Sequence, residues 1–163
     1  MQVRELMTDS LAHVTPEATL LEAAQLMQKF DTGFLPVVAS QNPKHLLGVL
    51  TDRDITVRAV AKGFDLHSAK VAYVMSSDPL HCATPDLTTS EAAAMMADRQ
   101  VKRLCIVEEG DFIGVLALGD LAVTVPADAT EALEGISRGA RAEPPNPTEG
   151  EEKWEEEHYS DSP

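Results

Sequence analysis

Positive charge is scarce in this sequence. Thirteen Lys and Arg stand against 27 Asp and Glu, a formal net charge of −14 over 163 residues. Nucleic acid is held by basic faces, so no nucleic-acid partner is expected. Docking on an anionic membrane is not expected either. The apolar runs fall far short of the roughly 20 residues that span a bilayer. Gln2, Val3, Arg4 and Glu5 follow Met1 where a secretory signal would begin its apolar stretch, so the expectation is a cytoplasmic chain. Cys82 and Cys105 are the only cysteines, too few for a disulfide framework, which suits a reducing compartment. The catalytic signatures GxSxG, HExxH and the phosphate-binding Walker sequence are missing, and no enzyme is expected. His13, His45, His67, His81 and His158 lack the spacing of a four-ligand zinc site, and no metal is expected.

What the chain does have is a repeat. Met7–Pro16 reads MTDSLAHVTP and Met75–Pro85 reads MSSDPLHCATP. ATLLEAAQLM (18–27) returns as LTTSEAAAMM (87–96), with Thr19 matching Thr88 and Glu22 matching Glu91. FLPVV (34–38) returns as RLCIV (103–107), and GVLTDRD (48–54) as GVLALGD (114–120). The offset is 69 residues at Thr19/Thr88 and 66 at Gly48/Gly114. A three-residue length difference therefore lies in the connection before the second motif, where surface loops tolerate it.

Each copy carries the same local signals. Thr19-Leu-Leu-Glu22 and Thr88-Thr-Ser-Glu91 are capping boxes. Behind them Leu20, Ala23, Ala24, Met27 and Phe30, and then Thr89, Ala92, Ala93 and Met96, recur at helical spacing and are read as core. Strands follow at Phe34–Val38 and His45–Leu50, with Ser40, Gln41, Asn42 and Pro43 as the turn. The second copy gives Arg103–Val107 and Asp111–Leu116 around Glu108, Glu109 and Gly110. A helix is expected from Asp52 to Lys62, stopped at Gly63. Each copy reads strand, helix, strand, strand, helix: an α/β chain of the α+β type. Copies this small are expected to share one core. Cys82 and Cys105 are expected in it, at positions matching Val14 and Pro36 of the first copy.

The organisation expected is residues 1–65, residues 66–125, and a third stretch, 126–163. That stretch holds a short helix over Ala127–Arg138 and an acidic tail. From Arg141 to Pro163 there are eight acids and two bases, with Pro144, Pro145 and Pro147. The composition predicts disorder there, with Trp154 and Tyr159 as its aromatic residues.

The doubled M-T/S turn, the capped helix, the Leu-Pro-Val-Val strand and Gly48-Val-Leu-Thr51-Asp-Arg-Asp54 together resemble a tandem pair of CBS (cystathionine β-synthase-type) domains, a Bateman module. The chain resembles small stand-alone bacterial CBS-pair proteins. The resemblance implies two βαββα units related by a pseudo-twofold axis. It implies a cleft between them for an adenosine ligand: AMP, ADP or ATP, or less readily S-adenosylmethionine or NAD. It also implies a regulatory role toward a partner protein, and a homodimer. The dimer would cover helix faces carrying Ala59, Val60, Leu121, Val123 and Val125. A ligand-independent interaction module is the alternative.

The same resemblance assigns the site to Gly48, Thr51, Asp54, Asp120, Lys102 and Arg103. Thr51 sits at a strand-to-helix junction, where a hydroxyl and free N–H groups suit a phosphate. Asp54, one turn on, offers two acceptors to the ribose 2′ and 3′ hydroxyls. The same Thr and Asp would cap a helix in any protein. In the second motif Ala117 replaces the hydroxyl residue, and losing a hydroxyl bonded to a charged phosphate costs about 1.5–3 kcal/mol. Lys102 and Arg103 stand where relatives place phosphate-binding cations. Arg53 and Arg58 are further candidates, and in the first copy Gly33 and Phe34, both uncharged, stand at the positions of Lys102 and Arg103.

Overall fold

The structure is a computed structural model that describes residues 1–9, 12–78 and 80–139. The acidic segment from Arg141 to Pro163, expected to be disordered, lies outside the described residues.

Helix α1 (Leu20–Phe30) starts at a complete capping box: Thr19 Oγ1 accepts from the Glu22 N–H at 3.2 Å, and the Glu22 carboxylate accepts from the Thr19 N–H at 2.7 Å. It ends on Asp31, in the left-handed region at φ 49°. Strands β1 (Phe34–Ala39) and β2 (Asn42–Thr51) pair antiparallel. Helix α2 then opens as Asp52–Asp54, widens into a π turn over Ile55–Ala59 and tightens over Val60–Lys62. It stops at Gly63, whose φ of +73° meets the stop expected from the sequence.

The second copy follows suit. Short strand β3 (Cys82–Ala83) runs parallel to β4 (Arg103–Glu108), which pairs antiparallel with β5 (Asp111–Ala117). Helix α3 (Thr89–Arg99) carries its own box from Thr88 and Glu91, and α4 (Leu118–Thr124) follows β5. In the first copy the counterpart of β3 shrinks to one parallel bridge, Val14 to Val37.

Both hairpins share one irregularity. Val37 faces Gly48 and Val38 faces Leu46, so Leu47 bulges. Ile106 faces Gly114 and Val107 faces Phe112, so Ile113 bulges. The three-residue difference has a definite place. In β1–β2 the pairing passes from Val38–Leu46 to Ala39–Asn42, leaving Pro43, Lys44 and His45 as the surplus. In β4–β5 it passes directly from Val107–Phe112 to Glu108–Asp111. Only Ser40 and Gln41 form the first turn. Asn42 and Pro43, expected in it, belong to β2 because the extra residues distort the strand rather than lengthen the loop.

The residues that open each copy in sequence are built into the other. Val3 N–H donates to Leu87 O at 2.8 Å, and Thr8 and Val115 exchange backbone hydrogen bonds at 2.9 and 3.0 Å. Symmetrically, Val71 N–H donates to Ala18 O at 2.9 Å, and Ser76 and Val49 exchange two bonds at 2.9 Å. Val3 is buried among Ala92, Met96 and Leu116, and Val71 among Leu20, Leu35 and Leu50. This crossover corrects the expectation of one shared core. Each copy has its own, and a small third cluster of Phe34, Cys105 and Val115 joins them.

Helix α5 (Pro126–Gly139) covers the helix expected over 127–138. Its Ala129, Ala132 and Ile136 enter the second core. The contact is close, because a Cβ at Gly135 would collide with Ala97.

Some apolar expectations are corrected. Phe30 is exposed, with the Lys29 ammonium over its ring, because α1 has turned that position away from the core. Cys82 is only half-buried, since β3 is a short edge strand, whereas Cys105 on central β4 is buried. Ala59 and Leu121 are covered within the chain, while Val57, Val60 and Val123 are exposed. Among the described residues no helix is long and apolar enough to cross a membrane.

Candidate functional site

The two crossovers place the start of α2 opposite the start of β4. Between them lies a cavity of about 640 Å³. One wall is Thr51, Asp52, Arg53 and Asp54, and the facing wall is Gln100, Val101, Lys102 and Arg103. Gly33 and Phe34 form its floor with Val49, and Ser76, Asp78 and His81 close the remaining side. Four of the six residues expected from the sequence, Thr51, Asp54, Lys102 and Arg103, therefore meet there, from segments about fifty residues apart.

Gly48 and Asp120 are not in that wall. The glycine has a different duty. A Cβ built on Gly48 would stand 2.8 Å from Ser76 O, and one on Gly114 would stand 2.7 Å from Thr8 O. Both motif glycines admit the crossing strand of the other copy, and a side chain there would break its backbone bonds. Asp120 belongs to the second motif, where its carboxylate accepts from the Ala117 N–H at 2.9 Å.

Thr51 and Asp54 satisfy one another. Asp54 Oδ2 accepts from both the Thr51 N–H and the Thr51 hydroxyl at 2.9 Å, and the Asp54 N–H returns to Thr51 Oγ1 at 3.1 Å. Asp54 Oδ1 lies 3.6 Å from Arg58 Nε. The helix-capping role is thus present in full. Arg58 also donates to Val74 O at 3.1 Å, so it braces the crossover and is not in the cavity wall, whereas Arg53 is.

On the facing wall the Arg103 guanidinium lies over the Phe34 ring, 5.3 Å from its centre. Lys102 O accepts the Leu118 N–H at 2.9 Å, fixing the backbone at this corner. Five polar lining residues were not assigned to the site from the sequence: Asp52, Ser76, Asp78, His81 and Gln100. Superposing the copies offers one signal for Gln100. It matches Asp31, and both end a helix in the left-handed region, at φ 54° and 49°.

The CBS domain family pattern matches this chain twice, over residues 3–60 and 71–127. The chain belongs to the CBS-domain family. The CBS domain-containing protein YhcV of Bacillus subtilis is 40% identical over 137 residues, covering 83% of this chain and 94% of that protein. Among solved structures, Hypoxic Response Protein I with two coordinated zinc ions is 28% identical at a TM-score of 0.68, over 77% of this chain and 100% of that one. The CBS domain protein PAE2072 from Pyrobaculum aerophilum, complexed with AMP, is 25% identical at 0.67, over 85% and 99%. In this CBS pair, no group of three or more His, Cys, Asp and Glu among the described residues stands close enough to hold a metal ion.

Proposed function

We propose that this CBS pair is a regulatory module that binds one adenosine ribonucleotide per chain in the cleft between its copies and relays occupancy to a partner protein. The supporting observation is the convergence of Thr51–Asp54 and Lys102–Arg103 on one cavity of about 640 Å³, within the roughly 300–1,000 Å³ of small-molecule sites. Arg53, Lys102 and Arg103 supply cations for phosphate. Asp54 Oδ1, the oxygen not engaged by Thr51, is the acceptor for a ribose hydroxyl. The AMP complex of PAE2072 supports the ligand class. Ala117 deprives the second motif of the matching hydroxyl, which supports a single site. Exposed Val57 and Val60 on α2 and Val123 on α4 support a homodimer that buries them.

Thermal melts with AMP, ADP, ATP, S-adenosylmethionine and NAD test the reading. A ligand at a hundred times its dissociation constant adds about 2.7 kcal/mol, a rise of about 5–10 °C for a chain this size. No shift with any of the five would reject it. It would favour a ligand-independent interaction module, a reading supported by the closed hydrogen bonding of Thr51 with Asp54.

A further inference from the structure

A second cavity, of about 470 Å³, lies between α4, α5 and the start of β4. Its walls are mostly apolar, with Leu118, Ala122, Pro126, Ala129 and Leu133. Among the described residues the only charged ones in them are Lys102 and Arg103, which also line the nucleotide cleft. An occupant that fits this cavity has an apolar body and an acidic flank.

The sequence holds such a segment just beyond α5. Residues 149–157 read EGEEKWEEE: Trp154 stands amid six glutamates and one lysine. The attachment point is favourable too. Gly139, the last residue of α5, lies directly against the side-chain amide of Gln100. Gln100 is itself part of the nucleotide cleft wall. From Gly139 the ten residues to Glu149 can span about 33 Å, more than the roughly 21 Å length of α5. The segment can therefore fold back along the helix that forms the cavity wall.

We infer that the acidic segment 149–157 docks in this cavity, with Trp154 between α4 and α5 and its glutamates on Lys102 and Arg103. The segment and a nucleotide phosphate then compete for the same two cations, and the tail is an internal brake on the cleft. The docking stands independently of the nucleotide reading, and only the competition rests on it.

Trp154 is the only tryptophan, so its fluorescence reports the docking without any nucleotide. In the full chain its emission should lie to the blue of the free peptide 140–163 and be shielded from iodide. Charge reversal in Lys102→Glu/Arg103→Glu, or Leu133→Ser at the 51%-exposed cavity rim, should return it to the peptide's emission. High salt should move it part of the way, since the glutamates' contact with Lys102 and Arg103 is screened. Emission and quenching equal to those of the free peptide would overturn the proposal. So would a blue shift that survives the charge reversal and Leu133→Ser, because the tail would then be seated elsewhere or on a second copy. For the competition, AMP should red-shift Trp154, and ending the chain at Gly139 should tighten AMP about five- to tenfold, an ordinary size of coupling. AMP heat in calorimetry with no change at Trp154 would overturn the competition. AMP giving no heat at all would reject the nucleotide reading and with it the competition, whereas docking is decided by Trp154 alone.

Discussion

Arg103 lies over the ring of Phe34, its guanidinium carbon 5.3 Å from the ring centre. The two residues occupy the same position in the two copies, 69 residues apart. The pseudo-twofold axis passes between them, and divergence of one pair of equivalents has produced a cation and its aromatic seat. Such a contact contributes about 0.5–1 kcal/mol at an exposed site. Its larger effect is placement, because it holds the Arg103 stem at the edge of the cleft. The equivalent corner of the first copy, Gly33–Phe34, has no charge to offer. The asymmetry of the proposed site thus begins in the floor of the cavity.

The motif glycines give a test of the crossover. Gly48→Ala and Gly114→Ala would each force a Cβ to within 2.8 and 2.7 Å of a crossing backbone oxygen. Overpacking of this kind costs about 1–3 kcal/mol, or about 2–12 °C in melting temperature. Both variants should melt lower with no ligand present. Unchanged melting of Gly48→Ala would mean that the glycine serves something other than the crossing strand.

The capping boxes predict an acid limb. The Thr19 N–H, and then its hydroxyl, hold the Glu22 carboxyl below its ordinary range, and Thr88 does the same for Glu91. A carboxyl depressed in the folded chain stabilises it above the unfolded value of about 4.3. That contribution is lost as pH falls through the lower folded value. Glu22→Gln/Glu91→Gln keeps an acceptor for the box but removes the titration. Urea unfolding from pH 6 to 3 should show a shallower loss in the double variant. Glu17 and Asp65, also held low by hydrogen bonds, should leave part of the limb. Superimposable limbs would contradict this assignment.

Cysteine predicts the opposite limb. Burial, and then the neighbouring Cys82, pushes the Cys105 thiol up to about 12. Burial also raises Cys82. An unfolded thiol ionises near 8.5, so folded stability is complete below that and falls as pH rises toward the folded value. Cys105→Val should flatten stability between pH 8.5 and 11. In a Cys82→Ser background, Cys105 should react with a thiol reagent at pH 8 only as fast as the chain opens. Reaction at the rate of a free thiol would contradict its burial.

Much of this architecture is written locally. The capping boxes, the hairpins and the stop at Gly63 arise from neighbours a few residues apart, so the sequence shows them directly. The crossover does not. Val3 meets Leu87 across 84 residues, and no nearby pattern announces it. The recurrence of Met7 as Met75 and Thr8 as Ser76 marks those segments without saying which copy they join. For the same reason Thr51 and Asp54 could be picked out, whereas Asp78 and His81 could not: their place in the cleft comes from the crossing strand. The face of α5 was readable as a helix, but its burial in the second core follows from the close approach of Gly135 to Ala97.

Titration calorimetry of AMP into the wild-type chain and into Lys102→Ala/Arg103→Ala tests the central claim most directly. The variant removes two partly exposed side chains and should stay folded. One site per chain is expected in the wild type. Each lost charge-assisted contact is worth about 1.5–3 kcal/mol, so the variant should bind at least tenfold more weakly. An absence of heat in the wild type, two equivalent sites per chain, or equal affinity in the variant would contradict the account.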